Sequence, residues 1–323
     1  MRIFVNKDEL ITYIVEYTAL DTGILISEPD LINYFSEEEF DYNNIFKNDL
    51  ITLRGEVLEE ILVYIEHRLG YLKNTQSGQN ILFQGLQDLA KTGVKPEEIE
   101  KIVKLIPFLD KYQNLEEIII TNQIDPKLAA RILDLFSKAL KHSWNMFKNP
   151  KSNLHNWDGV TPLNDLFETE ITPSNPSQYF DQKFLDFLAV NSESLTRMHW
   201  RNFERLISEF FNQKGYYVDL GPGTKDGGID IRIWNDKKST LGPPLILVQC
   251  KRYKKKNLVA LETIKAFYAD TIHEQANIGL IATTSRITPA GTKIIKTRGY
   301  PLKTIEQKDI VDYLYSNWRK RKN

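Results

Sequence analysis

Residues 226–256 contain most of the side chains that could do chemistry. They read DGGIDIRIWNDKKSTLGPPLILVQCKRYKKK, with Asp226 and Asp230 at the start and Gln249 and Lys251 near the end. Carboxylate and amide oxygens suit a hard cation such as Mg²⁺, for which one or two carboxylates suffice when a phosphate supplies further oxygens. A lysine beside such an ion can position an attacking water and balance charge on phosphate. This combination favours hydrolysis of a phosphodiester bond.

These side chains can meet only if two strands pair. Alternation along a strand places Gln249 and Lys251 on one face of VQCKR and Cys250 on the other. Asp230, in the run GIDIRIW, then lies beside Gln249 if the two runs pair through loop 235–244. We interpret Cys250 as a small buried residue rather than a nucleophile, with its backbone carbonyl available to a metal ion.

The sequence around this stretch predicts an α/β domain. Residues 198–216 carry apolar residues at helical spacing and reach a glycine, a common helix stop. Three short runs rich in β-branched and aromatic residues follow, namely YYVDLG, GIDIRIW and PLILVQCKR. Helix, strand, helix and a last helix then alternate. We expect a central mixed sheet flanked by helices.

The N-terminal half has a different pattern. Three long segments repeat apolar residues every three or four positions, namely GEVLEEILVYIEHRLGYL, PEEIEKIVKLIPFLDKY and DPKLAARILDLFSKALKHSWNMF. We expect an all-α N-terminal domain over residues 1–147. Prolines, asparagines and serines crowd the next part, which predicts a linker with a connecting helix over 148–190. The basic α/β domain then occupies residues 191–323.

The charge of the chain is unevenly distributed. The total is −1, but residues 191–323 contain 24 Lys and Arg against 13 Asp and Glu, a net charge of +11. Residues 1–190 contain 18 against 30, a net charge of −12. A basic half of this kind indicates a polyanionic partner, most often nucleic acid.

Composition also excludes several kinds of site. Cys250 is the single cysteine, so an internal disulfide is excluded, and one thiol with five histidines cannot build the usual Cys/His zinc cage. A catalytic metal must then be held mainly by oxygen. No apolar run approaches the roughly 18–20 residues that span a bilayer, and the N-terminus lacks the pattern of a secretory signal. We therefore expect a cytoplasmic protein without a membrane partner.

Residues from about 195 to 315 resemble the Mrr-like restriction endonuclease domain, a branch of the PD-(D/E)xK nuclease fold. Four pieces match in the family's order: FERLISEFF with Glu204, KGYYVDLGPGTKDGGIDI, LVQCKRY, and GLIATTSRITPAG with Ser285. The resemblance implies that Asp230 is the central metal ligand and Gln249 occupies the second ligand position. It also implies that Lys251 is the catalytic lysine and that Glu204 supports the site.

One position departs from the general nuclease pattern. Gln249 is neutral where an acidic ligand is usual, so Asp226 or Glu204 is a candidate for the missing carboxylate. Asp226 is equally interpreted as a turn residue that fixes the bend at Gly227–Gly228. Ser285 is a further candidate for support.

The run KRYKKK predicts either a phosphate-contacting surface or a solvated loop. Its candidate DNA-binding residues are Arg252, Lys254, Lys255 and Lys256.

The resemblance implies a metal-dependent DNA endonuclease that uses Mg²⁺, with Mn²⁺ able to substitute, in restriction of or defence against foreign DNA. Two alternatives remain: a repair or recombination nuclease for branched or damaged DNA, and a nucleic-acid-binding module that has lost catalysis. Cutting both strands of a duplex needs two sites, so we expect a homodimer or larger assembly. The acidic domain is expected to recognise a trigger, a partner or a modification, or to restrain the nuclease.

Overall fold

The computed structural model describes residues 2–36, 45–71, 159–173, 175–224, 227–254 and 256–322, with short pieces between 85 and 135. The chain divides into two compact units. Unit 1 comprises Met1–Leu10, Tyr42–Tyr64 and Asn74–His155, and unit 2 comprises Ile11–Asp41, Ile65–Lys73 and Asn156–Asn323. Unit 2 therefore draws segments from both sides of the predicted linker. The predicted domain limits at residues 147 and 190 stay a prediction.

Helices dominate the described N-terminal part, but strands are present as well. Its elements are β1 (Arg2–Asn6), α1 (Lys7–Thr22), β2 (Ile24–Leu25), α2 (Glu28–Phe35), a 3₁₀ turn (Ile45–Lys47), β3 (Leu50–Arg54) and α3 (Gly55–Arg68). In unit 1, β1 and β3 pair antiparallel, with Phe4 opposite Thr52. The sequence did not predict this pair, because five residues of alternating burial give little signal beside long helical repeats. The predicted helix over 96–112 lies almost wholly outside the described residues.

The described part of the predicted linker is folded within unit 2. It contains β4 (Thr161–Pro162), α4 (Asp165–Glu168) and α5 (Gln182–Val190), and a 3₁₀ segment, Ser192–Thr196, follows it. Strand β4 pairs in parallel with β2, and Leu166 and Phe184 are fully buried. Prolines at 162, 173 and 176 break long elements but do not prevent burial of the apolar residues between them.

The remainder of unit 2 is the predicted α/β arrangement. Its elements are α6 (Trp200–Asn212), β5 (Tyr217–Leu220), β6 (Ile231–Trp234), a 3₁₀ turn (Lys237–Leu241), β7 (Ile246–Lys251), α7 (Leu261–His273), β8 (Ile278–Thr283), α8 (Pro289–Thr297), β9 (Leu302–Ile305) and α9 (Gln307–Lys322). The strands form one sheet in the order β5-β6-β7-β8-β9. Pairing is antiparallel from β5 to β7 and parallel from β7 to β9, so the sheet is mixed as predicted. Strand β9 was missed, since LKTI is short and half exposed.

Apolar residues on both sides of the sheet hold it together. Leu247 and Ile281, on the central strands, pack with Ile264 and Phe267 of α7 in one buried cluster. Helix α6 buries Phe203, Leu206 and Ile207 completely, and each such side chain contributes about 1.5–3 kcal/mol on burial. No helix among the described residues combines the length and the apolar character needed to cross a bilayer.

Candidate active site

Asp230, the residue before β6, lies opposite Gln249 of the neighbouring strand β7. Asp230 comes directly before β6, and the antiparallel register pairs Ile231 with Val248. The Asp230 amide donates to the Val248 carbonyl at 3.0 Å. The Cys250 amide in turn donates to Oδ2 of Asp230 at 2.5 Å. Asp230 is only 8 % exposed, so these backbone contacts fix its carboxylate at the end of β7.

The Gln249 amide is held in one orientation. Its Nε2 donates to the Gly228 carbonyl at 2.8 Å, and because a carbonyl only accepts, this contact identifies the nitrogen end of the amide. Oε1 is buried and has no hydrogen-bond partner among the described residues. Gly227 and Gly228 have φ values of 67° and 90°, a region that favours glycine. A Cβ at Gly228 would also lie 3.0 Å from Nε2.

Strand β7 ends with Cys250 and Lys251, whose side chains differ in charge. Lys251 is partly exposed, and no described residue forms a hydrogen bond or an ion pair with its ammonium group. Burial of the Cys250 thiol, and next the charges of Asp230 and Glu204, raise the pKa of Cys250 well above its ordinary value. The thiol is therefore neutral near pH 7, which favours its interpretation as a packing residue. The role of its carbonyl stays a prediction.

Glu204 is positioned by an arginine that the sequence analysis missed. Both residues lie on α6 and are buried, and Arg201 Nη1 contacts Glu204 Oε2 at 2.6 Å. Arg201 Nη2 also donates to the Gly221 carbonyl at 2.6 Å, and its Nε donates to Glu170 Oε1 at 3.3 Å. The Gly221 amide donates to the Asp230 carbonyl at 2.8 Å. The sequence signal for this ion pair was the spacing of Arg201 and Glu204, which lie three residues apart on a helix.

Glu170, which precedes the α/β domain, joins the same network. Burial alone would raise its pKa, but hydrogen bonds and charge from Arg205 and Arg201 lower the pKa of Glu170 below its ordinary value. Glu170 is therefore ionised near pH 7, and it ties the segment before α5 to the helix that carries Glu204.

Ser285 does not contact the carboxylate site. Its hydroxyl donates to the Asn257 carbonyl. The two preceding hydroxyls act on the same segment: Thr283 donates to the Lys251 carbonyl at 2.8 Å, and Thr284 bonds the Tyr253 amide and carbonyl, each at 2.8 Å. Three consecutive buried hydroxyls thus bond backbone groups of Lys251, Tyr253 and Asn257, which belong to the segment 251–257 that we call the basic loop.

The candidate DNA-binding residues of the basic loop have unequal exposure. Lys254 and Lys256 are exposed, whereas Arg252 is partly buried and donates to the Thr196 carbonyl at 3.2 Å. Lys255 and Asp226 lie outside the described residues.

The donor set around Asp230 and Gln249 fits a hard divalent cation. One carboxylate and one buried amide oxygen without a hydrogen-bond partner are the ligand types that Mg²⁺ takes, with water and phosphate completing its shell. The described residues contain no group of three or more His, Cys, Asp and Glu side chains that could hold a metal. Among the described residues, a divalent cation would therefore need the Gln249 amide oxygen as well as the Asp230 carboxylate.

Comparisons with known proteins concern the same region. Residues 195–314 match the family model Mrr_cat, described as restriction endonuclease. An uncharacterized protein, y4cE, of Sinorhizobium fredii is 25 % identical over 127 residues, which is 39 % of this chain but only 32 % of that protein. The MspJI restriction endonuclease, solved with a 27-mer oligonucleotide, is 20 % identical with a TM-score of 0.32, covering 48 % of this chain and 35 % of that one. Over residues 195–314 the chain is therefore similar to the restriction endonuclease domain that the Mrr_cat model describes.

Proposed function

We propose that this protein is a metal-dependent DNA endonuclease that hydrolyses phosphodiester bonds in restriction of, or defence against, foreign DNA. The observation that supports the proposal is the buried Oε1 of Gln249, whose Nε2 is held by Gly228, on the strand that pairs with the residues following Asp230. The family match over residues 195–314 supports a nuclease. The net charge of +11 over residues 191–323 supports DNA as the partner.

In this proposal each side chain has one task. Asp230, Gln249 and the Cys250 carbonyl hold Mg²⁺ or Mn²⁺, which when bound supplies charge stabilisation at the phosphate and acidifies a coordinated water. The Lys251 ammonium positions the attacking water and balances phosphate charge. Arg201 keeps the Glu204 carboxylate in place beside the site. The exposed Lys254 and Lys256 bind the flanking phosphates.

Substitution of the two central residues tests the proposal. Asp230→Ala and Lys251→Ala should each lower plasmid cleavage with Mg²⁺ or Mn²⁺ by about 100-fold or more, while DNA binding persists. Calorimetry with Mg²⁺ alone should show weaker binding for Asp230→Ala and nearly unchanged binding for Lys251→Ala.

Asp219→Ala and Lys237→Ala, at exposed positions of the same domain, are matched controls and should cleave like the parent. Cleavage that survives in both site variants would overturn the proposal. A parent that binds DNA but cuts no duplex with either metal would instead favour the non-catalytic module.

The proposed assembly is a homodimer, since double-strand cleavage needs two sites. Sedimentation of the full chain tests it, and a strict monomer that makes double-strand breaks would contradict it. The acidic N-terminal part is proposed to receive the trigger or partner that controls cleavage.

A further inference from the structure

Trp200 is exposed although the core of its helix is tightly packed. It is 40 % exposed, whereas the other two described tryptophans, Trp234 and Trp318, are 7 % and 6 % exposed. The apolar face of α6 is filled by other residues, including Phe203 and Leu206, each fully buried. The indole of Trp200 thus contributes little to the core, and a large exposed aromatic of this kind is suited to a ligand.

Trp200 stands at the edge of the candidate active site. It lies one helical turn before Glu204, so both side chains project from the same side of α6. A Cβ at Gly223 would be 3.1 Å from Cη2 of the indole, so the indole lies against the loop that follows β5. The same loop begins at Gly221, whose amide donates to the Asp230 carbonyl at 2.8 Å. The indole therefore lies two residues along the chain from the hydrogen bond that joins Gly221 to Asp230.

The imidazole ring of His199 packs next to the indole of Trp200. The two ring centroids are 5.4 Å apart, with planes inclined by 36°. Nδ1 of His199 accepts from the Arg201 amide at 3.3 Å, so the imidazole caps α6 and cannot turn freely. Burial lowers the pKa of His199; the charge of Glu170 opposes this shift and that of Arg252 adds to it. The imidazole is therefore neutral near pH 7 and held in place, while the indole beside it stays 40 % exposed.

An exposed aromatic ring beside a site that binds a phosphodiester group favours binding of a nucleobase that is not stacked on its neighbours. In a paired duplex both faces of each base are covered by neighbours, so an indole has no base face to bind. An unpaired nucleotide exposes that face, and stacking of one base on an aromatic side chain changes affinity by roughly 5-fold to 150-fold. Arg252, whose charge acts on the neighbouring His199 and whose guanidinium donates to the Thr196 carbonyl, adds positive charge that favours the adjoining phosphates.

Resting on the proposed nuclease function, we propose that Trp200 is a stacking platform for an unpaired nucleobase next to the scissile phosphate. The preferred substrate is then DNA that carries unpaired nucleotides at the cleavage position, and plain duplex is bound more weakly.

Equilibrium binding by the full chain tests the platform. Binding is measured in a Lys251→Ala background with Mg²⁺, so that the DNA is not consumed, using a duplex and the same duplex with a central unpaired stretch containing 2-aminopurine. Trp200→Ala should weaken binding of the unpaired DNA about tenfold and leave duplex affinity nearly unchanged. It should also abolish the quenching of 2-aminopurine that stacking on indole produces.

Two further variants separate stacking from folding. Trp200→Phe retains an aromatic face and should keep most of the preference for unpaired DNA. Tyr315→Ala removes an aromatic that is 49 % exposed on α9 and should change neither affinity. Thermal unfolding of each variant confirms that the compared proteins are folded.

The outcomes distinguish the two proposals. Equal loss of affinity for both DNAs in Trp200→Ala, or no loss, overturns the stacking platform while the nuclease proposal stands. A parent that binds neither DNA overturns the nuclease proposal and the platform with it. Quenching that persists in Trp200→Ala also overturns the platform, because another residue must then stack on the base.

Discussion

At the residue scale, the neutral side chain at position 249 is explained by its neighbour. Gly228 presents a carbonyl at 2.8 Å, which requires a donor, and the amide supplies that donor while keeping its oxygen for another ligand. A glutamate cannot do both when ionised. Glutamine therefore satisfies the Gly228 carbonyl in a way that an ionised glutamate would not.

Gln249→Glu should lower the stability of the protein even though it introduces the acidic residue that is usual at this position of the nuclease pattern. The ionised carboxylate loses the bond to Gly228 and faces its carbonyl, so the free energy of unfolding should fall by about 1–3 kcal/mol. Cleavage should fall as well, because the ligand oxygen is no longer held in place. Denaturant unfolding and plasmid cleavage measure the two effects.

Gln213→Glu adds the same charge at an exposed position and is the matched control, expected to resemble the parent. A Gln249→Glu variant as stable and as active as the parent would show that Gly228 does not select the amide.

At the element scale, the end of β8 positions the basic loop. Thr283, Thr284 and Ser285 are 0 %, 0 % and 3 % exposed, and all three hydroxyls bond the backbone between Lys251 and Asn257. The end of β8, which pairs in parallel with β7, thus fixes the path of the backbone after Lys251. The exposed lysines of the loop depend on this anchor for their direction.

Thr284→Val should loosen the basic loop. Removal of the hydroxyl leaves the partly buried Tyr253 amide and carbonyl without this partner, which should lower the free energy of unfolding by about 1–3 kcal/mol. DNA affinity should fall along with it, while Mg²⁺ binding by calorimetry should stay near that of the parent. Thr284→Ser keeps the hydroxyl and should restore DNA affinity.

Thr297→Val, at an exposed position of α8, controls for the substitution itself. If Thr284→Val loses stability and keeps full DNA affinity, the hydroxyls hold the fold but do not position the loop for DNA.

The sequence predicted the main elements of this domain because their signals are local. Apolar periodicity identified α6, and alternation placed Gln249 and Lys251 together on β7. Contacts that join distant residues gave no such signal: Arg201 with Gly221, Gly228 with Gln249, and Thr284 with Tyr253 each depend on tertiary packing. Strand β9 was missed for a related reason, since its four residues are defined by pairing with β8 rather than by their own pattern.

At the scale of the whole molecule, unit 2 is built from three separated segments. The Asn191 side chain donates to the Arg68 carbonyl at 2.7 Å, and Trp318 Nε1 donates to the buried Gly70 carbonyl at 2.8 Å. Asn202, fully buried on α6, also bonds the backbone of Leu166, Thr169 and Ile171. The segment that the family model matches, 195–314, is therefore shorter than unit 2, to which it belongs.

A fragment of residues 191–323 should not fold like the full chain. It lacks α5 and the other residues of unit 2 that contact α6 and α9, so buried side chains such as Asn202 and Trp318 lose their partners Leu166, Thr169 and Gly70. Circular dichroism during heating should show a cooperative transition for the full chain and none, or one at much lower temperature, for the fragment. A fragment that melts like the full chain would show that residues 195–314 are autonomous.

The bond between Trp318 and Gly70 joins residues 248 positions apart, which sets an order of events during protein synthesis. A ribosome that adds about 5–20 residues per second reaches Trp318 roughly 12–50 seconds after Gly70. For that interval the N-terminal segments of unit 2 exist without their C-terminal partner. Translation therefore delays the complete unit, and any DNA cleavage that depends on it, until almost all of these residues have been made.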